Sequence, residues 1–322
     1  MSSIPSSTHG SDEADPFRGQ AAVSSSGEVN VRAPRASRVL PATSRRSRIR
    51  LTPTLPLAGL AMVVLIATFA PFLTPYEPTR ADLINSLQPP FWVEGGSTAH
   101  MLGTDGFGRD ILTRLMYGAR VSLLVAVFSL MIAVSIGTTV GVVAGYVGGT
   151  VDSLLMRLVD IVLAFPSIIV ALVLSVALGP SFQNLVLVLG LLTWPRIARL
   201  IRGETLLLKG SEFVRYSRAI GVPWTAIARR HVFPNVLPTL LVATTLEIGS
   251  VILAEASLSF LGAGVPPPSA SWGVMISEGR GLISSGWWIA LFPGLAISAT
   301  VLSSNALGDW LRDRFDPRTR EL

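Results

Sequence analysis

The sequence contains no cysteine, a single lysine and three histidines, and only 14% of its 322 residues are charged. Without cysteine it has no disulfide framework, no thiolate metal site and no cysteine nucleophile. The lysine, Lys209, follows Leu208 rather than glycine, so the phosphate-binding loop Gly-x-x-x-x-Gly-Lys is absent. The histidines, at positions 9, 100 and 231, form no His-Glu-x-x-His pair, and no Gly-x-Ser-x-Gly turn occurs. The chain is therefore expected to be no enzyme and to hold no metal.

Half of the residues are hydrophobic and the mean hydropathy is +0.56, which is too apolar for a water-soluble domain. The surplus predicts helices that face lipid or other spans. A net charge of +6 could indicate nucleic acid, but the arginines cluster beside the apolar runs. That placement is typical of the cytoplasmic ends of membrane helices. The composition therefore predicts an integral membrane protein that contacts lipid and no nucleic acid.

Six apolar runs predict an all-α fold with six transmembrane helices. Residues 1–50, rich in Ser, Pro and Arg, are expected to be a disordered basic tail. The first transmembrane helix is predicted at 51–75 and an extracytoplasmic segment at 76–120. A five-helix core follows over 121–308, and a cytoplasmic tail over 309–322. The spans of the core are predicted at 121–147, 153–178, from about 182 to the end of the fourth apolar run, 236–261 and 287–308.

Six spans place both termini and the loop at 209–235 on the same side of the membrane. Arginines cluster in all three places, so this side is predicted to be the cytoplasm. Ser211 can cap a helix that begins at Glu212, and Gly221 is placed to end it in a left-handed conformation. The apolar face of this helix is formed by Phe213, Tyr216 and Ile220.

A second short helix is predicted after Pro223, which suits a first helical turn. It carries Trp224, Ile227 and His231 on one side and is expected to end before Pro234. Two short helices with an exposed apolar face, tethered between spans, predict a docking surface. Its predicted residues are Glu212, Phe213, Arg215, Tyr216, Arg218, Ile220, Gly221, Trp224, Arg230, His231 and Pro234.

Charged residues inside the apolar runs are candidates for a pathway or a gate. In the third run, Arg157 and Asp160 are three residues apart, and they form either an ion pair at the interface or a gating pair. In the fourth run, Arg196, Arg199 and Arg202 share one face. They either reach toward the cytoplasmic headgroups or line an inner gate.

Two acids lie in the fifth run, Glu247 near its middle and Glu255 near its outer end. A glutamate at mid-membrane is expected to face the bundle interior or a watery path rather than lipid. Either it takes part in proton coupling, or it accepts hydrogen bonds from Ser or Thr on a neighbouring helix. Both interpretations stay open at this stage.

Small and aromatic residues predict how the spans pack and where they leave the membrane. Glycines at 137, 141 and 145 repeat every four residues, which allows close approach of another helix. Trp272, Trp287 and Trp288 fit an interfacial aromatic belt. The sixth span is expected to be interrupted at Pro293.

Four separate stretches resemble the C-type permeases of dipeptide and oligopeptide importers. They are GTDGFGRDILTRLMYGARVSL at 103–123, the loop with Arg-His-x-x-Pro-Asn at 230–235, EASLSFLGAGVPPPSASWGVMISEGR at 255–280, and LGDWLRDRFDPR at 307–318. In the first stretch Asp105, Arg109 and Asp110 are expected to pair, with Asp110 able to approach Arg114. This stretch is either a surface cap on the bundle or part of the pore mouth. The Glu-Ala-Ala letters that name the family's loop are replaced by Arg215-Tyr216-Ser217.

The resemblance implies the type I importer permease (MetI-like) fold in the cytoplasmic membrane. It implies a homologous permease as partner, with the path between the two. It also implies cytoplasmic ATPase subunits that dock on the loop and hold ATP and magnesium, so this chain needs no cofactor of its own. An extracytoplasmic binding protein would deliver the substrate, a dipeptide or oligopeptide, with nickel or another small solute as the alternative.

Two other classes stay as alternatives. A proton-coupled secondary transporter would use Glu247 with Asp160, but such carriers usually show two related halves or matching broken helices, and six unlike spans do not. A membrane scaffold would not need a long amphipathic loop and glycine-lined spans. The sequence therefore favours the permease.

Overall fold

The computed structural model describes residues 54–266 and 268–315, and all helices and turns below belong to this part of the chain. The predicted tail at 1–50 and the end of the tail at 309–322 lie outside the described residues, as does Pro267 of the proline run. The α-helices are α1 (Thr54–Leu73), α2 (Ile111–Val147), α3 (Gly149–Ala164), α4 (Ser167–Leu178), α5 (Phe182–Lys209), α6 (Glu212–Ala219), α7 (Trp224–Ile227), α8 (Phe233–Phe260), α9 (Trp272–Gly279) and α10 (Trp288–Phe315).

The described residues contain five helical spans long and apolar enough to cross a membrane, and a sixth if the bent pair α3 and α4 is counted as one span. The spans are α1, α2, α5, the continuous run from α7 through α8, and α10. The predicted all-α membrane fold is therefore confirmed, and six spans are compatible with it.

The second span begins earlier than the sequence indicated. Asp110 accepts a hydrogen bond from the amide of Thr113 at 2.7 Å and caps α2, which starts at Ile111 rather than Val121. The 37 residues of α2 measure about 55 Å at 1.5 Å each, well beyond a hydrocarbon thickness of about 30 Å. The first turns of α2 thus extend past the apolar run into the predicted segment 76–120, and the helix begins ten residues before the predicted span.

The third span is not the continuous helix predicted at 153–178. It breaks at Phe165 and Pro166, where α3 and α4 meet at 86°. Phe165 is extended, with φ −95° and ψ 145°, as expected for a residue before proline. Pro166 has no N–H to continue the helix, so α4 starts a new hydrogen-bonded ladder at Ser167.

Two prolines that were expected to end or interrupt helices do neither. A π-helical turn, Ala228–Val232, joins α7 to α8, and the amide of Phe233 donates to the carbonyl of Ala228. Because the α-helical register restarts there, Pro234 falls in the first turn of α8, where a missing N–H is tolerated. Pro293 lies inside the unbroken α10. The predicted breaks at Pro234 and Pro293 are wrong.

The predicted glycine contact joins α2 to α5. A Cβ atom at Gly137 would lie 2.8 Å from the carbonyl oxygen of Trp194, and one at Gly141 would lie 2.6 Å from that of Ala198. A Cβ at Gly145 would meet Thr205 at 2.7 Å. The backbones therefore approach so closely that a larger residue would force the helices apart, which confirms the predicted close packing.

Two of the three tryptophans assigned to the interface are buried instead. Trp272 is 2% exposed and donates its Nε1–H to the carbonyl of Leu115 at 3.0 Å. Trp288 is 4% exposed and donates to the carbonyl of Thr104 at 2.9 Å. Each indole N–H thus has a buried partner, and both rings pack in the apolar cluster at the end of the bundle that holds α9.

Candidate docking surface and intramembrane charges

The predicted docking surface is built from α6, the turn after it and α7. Ser211 precedes α6 in an extended conformation, so the predicted start at Glu212 is confirmed. Its side chain does not cap the helix, however, because the hydroxyl donates back to the carbonyl of Leu208. Gly210 and Ser211 thus separate α5 from α6 by a short turn.

Gly221 has φ +81°, the left-handed conformation that the sequence predicted. Its amide donates to the carbonyl of Arg218 at 3.0 Å, and the amide of Val222 donates to that of Ser217 at 3.1 Å. These two bonds form a Schellman motif, which closes α6 and turns the chain toward α7. Nothing lies within 4 Å of a Cβ placed on Gly221, so only its backbone conformation restricts the residue type.

The surface exposes apolar side chains. Ile220 is 80% exposed, Tyr216 70%, Trp224 46% and Phe213 42%. Charged and polar residues surround them, and the exposed members of the predicted set also include Glu212, Arg215, Arg218, Arg230 and Pro234. An open groove of about 280 Å³ follows one side of α6, lined by Glu212, Arg215, Tyr216 and Ala219. Such a rimmed apolar patch is typical of a protein interaction site.

Buried contacts hold this surface in place. Val214 of α6 and Ile227 of α7 are fully buried. The Trp224 ring stacks on Tyr146 at the end of α2, with centroids 6.1 Å apart, and the Arg218 guanidinium lies 5.2 Å from the Tyr146 centroid on the same ring. Sequence reasoning missed Tyr146, which looks like the ordinary end of an apolar run.

The remaining predicted residue is His231, whose ring lies 5.9 Å from that of Phe213. His231 belongs to the π-helical turn, so this contact ties α6 to the start of α8. Ten of the eleven residues predicted for docking therefore lie on α6, on α7, or on the segment that directly follows each of them, and Pro234 lies in the first turn of α8.

The arginines of α5 pair with acids instead of reaching freely to the headgroups. Arg202 forms a bidentate pair with Asp152 of α3, at 2.6 and 2.7 Å. Arg199 pairs with Asp160, also of α3. Asp160 is therefore bound across helices, and the predicted pair of Arg157 with Asp160 is wrong. The reason is geometric, because α3 lies against α5 and brings Asp160 to Arg199.

Arg196 and Glu247 come together at a cavity of about 220 Å³. The distance from Arg196 Nη1 to Glu247 Oε2 is 3.6 Å, and that oxygen is buried without a hydrogen bond from any described residue. The cavity lies between the start of α4, the middle of α5 and the middle of α8. Its walls are Ser167, Ile168, Ala171, Leu189, Leu192, Thr193, Arg196, Glu247, Ser250, Val251, Leu253 and Ala254.

Glu255 is fully buried and far better satisfied than Glu247. It accepts hydrogen bonds from Ser122 at 3.1 Å, Ser259 at 2.7 Å and Ser271 at 2.8 Å. These serines belong to α2, α8 and the segment before α9. The hydrogen bonds from serine that were predicted for Glu247 are therefore made by Glu255, whereas Glu247 pairs with Arg196.

Sequence reasoning also missed Glu278, which completes a charge network at the end of the bundle that holds α9. Arg109 donates to Asp105 at 2.7 Å and approaches Glu278 at 3.0 Å. Arg114 donates to Glu278 at 2.6 Å and also pairs with Asp105. Asp110 pairs with the His100 ring and not with Arg114, so that predicted pair is wrong. Asp110 and Arg114 do have the spacing of a helical ion pair, but the Asp110 carboxylate caps α2 instead.

The amino-acid sequence is similar to those of known membrane transport proteins. Residues 137–321 match the family described as "Binding-protein-dependent transport system inner membrane component". The dipeptide transport system permease protein DppC of Escherichia coli is 45% identical over 265 residues, which cover 82% of this chain and 88% of that protein. The di/tripeptide permease DppC of Pseudomonas aeruginosa is 39% identical over 267 residues, 82% of this chain and 88% of that one.

Two structures of the MetNI methionine ABC transporter, in inward-facing conformations, share the fold. Each superposes on 62% of this chain with a TM-score of 0.52. The first is 21% identical and is covered over 95% of its own length, and the second is 24% identical and is covered over 94%. The chain therefore has the fold of a type I importer permease, with five helical spans among the described residues, or six if the bent pair is one span. The chain belongs to the family of inner membrane components of binding-protein-dependent transport systems, the permeases of ABC importers.

Proposed function

We propose that this chain is the C-type permease subunit of an ATP-driven importer of dipeptides and oligopeptides. The observation that carries the proposal is identity of 39–45% over more than four-fifths of the chain to permeases named for dipeptide and di/tripeptide transport. In this proposal a homologous permease is its partner, and the translocation path runs between the two. An extracytoplasmic binding protein delivers the peptide to the pair.

The proposal assigns ATPase docking to the surface formed by α6 and α7. Its support is the exposed apolar cluster around Tyr216 and Ile220, held by the buried Val214 and Ile227. ATP and magnesium are bound by the ATPase subunits, and this chain supplies no cofactor. Movement of the docked ATPases would then tilt the spans attached to the loop and switch the open side of the path.

The same proposal places both termini and the docking surface in the cytoplasm. The arginine clusters before α1, in the loop after α5 and at the end of α10 support this orientation. The segment between α1 and α2, and the segment around α9, would then face the binding protein.

The test is transport by the assembled complex. The chain is coexpressed with a homologous permease, ATPase subunits and a binding protein of a dipeptide transport system, and the complex is reconstituted into vesicles. We expect ATP-dependent uptake of labelled alanyl-alanine that persists when an uncoupler collapses the proton gradient. Uptake of nickel but not of peptide would establish the alternative importer, and uptake without ATP that the uncoupler stops would establish a secondary transporter.

A further inference from the structure

The cavity beside Glu247 lies where a membrane span is broken. Its walls come from the first turn of α4, directly after the 86° bend at Pro166, and from the middle of α5 and α8. Broken helices inside a membrane protein place free backbone groups at a cavity, and such ends bind charged substrate groups in transporters. The location therefore suggests a binding site in the permease itself.

One wall of the cavity is negative. The Glu247 side chain is only 17% exposed, and its Oε2 has no hydrogen bond from any described residue because Arg196 Nη1 remains 3.6 Å away. Buried carboxylate oxygens normally have donors, so an unfilled one needs an explanation. A cationic donor that enters the cavity would supply the missing bonds.

The same cavity also presents a positive group beside Glu247, namely Arg196. Half of the Arg196 side chain is exposed, at 51%, so the guanidinium can still bind another acceptor. The first turn of α4, at Ser167, has no side-chain cap because the residue before it is Pro166. The N-terminus of a helix favours negative charge and carbonyl or carboxylate oxygens.

We infer that this cavity binds the free N-terminus of a peptide during its passage. The α-ammonium group donates to Glu247, and the first carbonyl oxygen of the peptide faces Arg196 and the first turn of α4. A volume of about 220 Å³ is below the roughly 300 Å³ of the smallest pockets for drug-sized ligands, so one or two residues fit at a time. This inference rests on the proposed function and names the group of the substrate that the permease recognises.

The test compares two substrates in two forms of the complete transporter. The substrates are alanyl-alanine and propionyl-alanine, which differ only in the ammonium group, and the proteins are the wild type and Glu247→Gln. For each protein, uptake of alanyl-alanine is divided by uptake of propionyl-alanine, and the two quotients are compared. Any preference of the binding protein is the same for both permeases, so it cancels in this comparison. We expect Glu247→Gln to reduce the preference for alanyl-alanine by at least about tenfold, as for loss of a charged hydrogen bond.

The matched control is Glu204→Gln on α5. The Glu204 carboxylate accepts a hydrogen bond from Thr239 at 3.2 Å and does not line the cavity, so the preference should be unchanged. Equal loss of uptake for both substrates in Glu247→Gln would show that Glu247 and Arg196 form only a structural pair and would overturn the inference. An unchanged preference would overturn it as well. A wild-type complex that transports neither substrate would instead refute the proposed function, and this inference with it.

A second measurement does not depend on uptake. Because the sequence has no cysteine, Ser250→Cys introduces a thiol that is unique in this chain and lines the cavity. We expect alanyl-alanine to slow its modification by a thiol reagent, and propionyl-alanine to have little effect. Equal rates of modification with and without alanyl-alanine would contradict binding in this cavity.

Discussion

The guanidinium of Arg114 lies 2.6 Å from the carboxylate of Glu278, a residue 164 positions later in the chain. The Arg114 side chain is 1% exposed, and it also pairs with Asp105. This contact joins the start of α2 to α9 and to the segment before α2. Charges buried to this degree are stable only as a group, since each one loses its water.

We predict that Arg114→Leu destabilises the fold by about 3–5 kcal/mol, because it leaves the buried Asp105 and the partly exposed Glu278 with fewer partners. The measurement is the thermal unfolding midpoint of the purified chain in detergent. Arg120→Leu is the control, since Arg120 lies on the same helix and is exposed. An equal midpoint for the two variants would show that the network contributes no stability.

Replacement of Gly221 should prevent the docking surface from coupling ATP hydrolysis to transport. Its φ of +81° costs an ordinary L-residue about 1–2 kcal/mol, and a β-branched residue more. Gly221→Val should therefore re-aim or loosen α6 while the spans still insert. We expect normal membrane levels, with loss of peptide uptake and of substrate-stimulated ATP hydrolysis, and co-purification of the ATPase shows whether docking or transmission fails.

Gly221→Asn is the matched variant, because asparagine tolerates the left-handed conformation and no neighbouring atom obstructs a side chain there. It should retain most of the uptake. Full uptake by Gly221→Val at matched protein levels would rule out this turn as part of the coupling element.

Tyr146 offers a separate test of the same surface. Its ring stacks on Trp224 and lies near the Arg218 guanidinium, whereas its hydroxyl has no hydrogen-bond partner among the described residues. Tyr146→Phe should therefore behave like the wild type, and Tyr146→Leu should lower ATP-driven uptake severalfold. Similar uptake by both variants would mean that the stack has no part in coupling.

The proposed orientation predicts which thiol labels react from each side. With no native cysteine in the chain, Tyr216→Cys and Ile84→Cys each give one site, at positions that are 70% and 95% exposed. An impermeant reagent should label position 84 in intact cells and position 216 only in inverted vesicles. Residues 1–50 and those after 312 should behave like position 216. Labelling of position 216 from outside the cell would refute the permease orientation.

Energy coupling gives a further prediction about Glu247. If transport is driven by ATP alone, Glu247→Gln should lower the rate without making it sensitive to the proton gradient. Uptake by wild type and variant is measured with ATP, in the presence and absence of an uncoupler. A wild type that loses uptake on addition of the uncoupler, while Glu247→Gln is indifferent to it, would support the proton-coupled alternative.

Local signals in the sequence predicted local structure well. Gly221 followed by Val222 and Pro223 was sufficient to predict a left-handed helix end, because that conformation is decided by a few neighbouring residues. The start of α6 followed for the same reason, whereas the glycines of α2 predicted close packing without identifying α5 as the partner. Proline was less informative, since its effect depends on its place in the helix: Pro166 breaks a span, whereas Pro293 does not.

The partners of charged residues could not be predicted from spacing along one helix. Asp160 has Arg157 three residues away, yet pairs with Arg199, which lies 39 residues later. The choice depends on which helices become neighbours, and a broken span changes that arrangement. Glu278 was missed for the same reason, because its arginines precede it by more than 160 residues.

The two flanks of the docking surface differ in stiffness. Gly210 and Ser211 interrupt the helix between α5 and α6, whereas Trp224–Phe260 is one helical run of 37 residues, about 55 Å long. A push on its first turn would reach Glu247 along one helical run, but would reach Arg196 on α5 only across the turn at Gly210 and Ser211. The distance of 3.6 Å between these two side chains would then change as α8 moves relative to α5. A pair of spin labels, one on α5 and one on α8, would measure that movement.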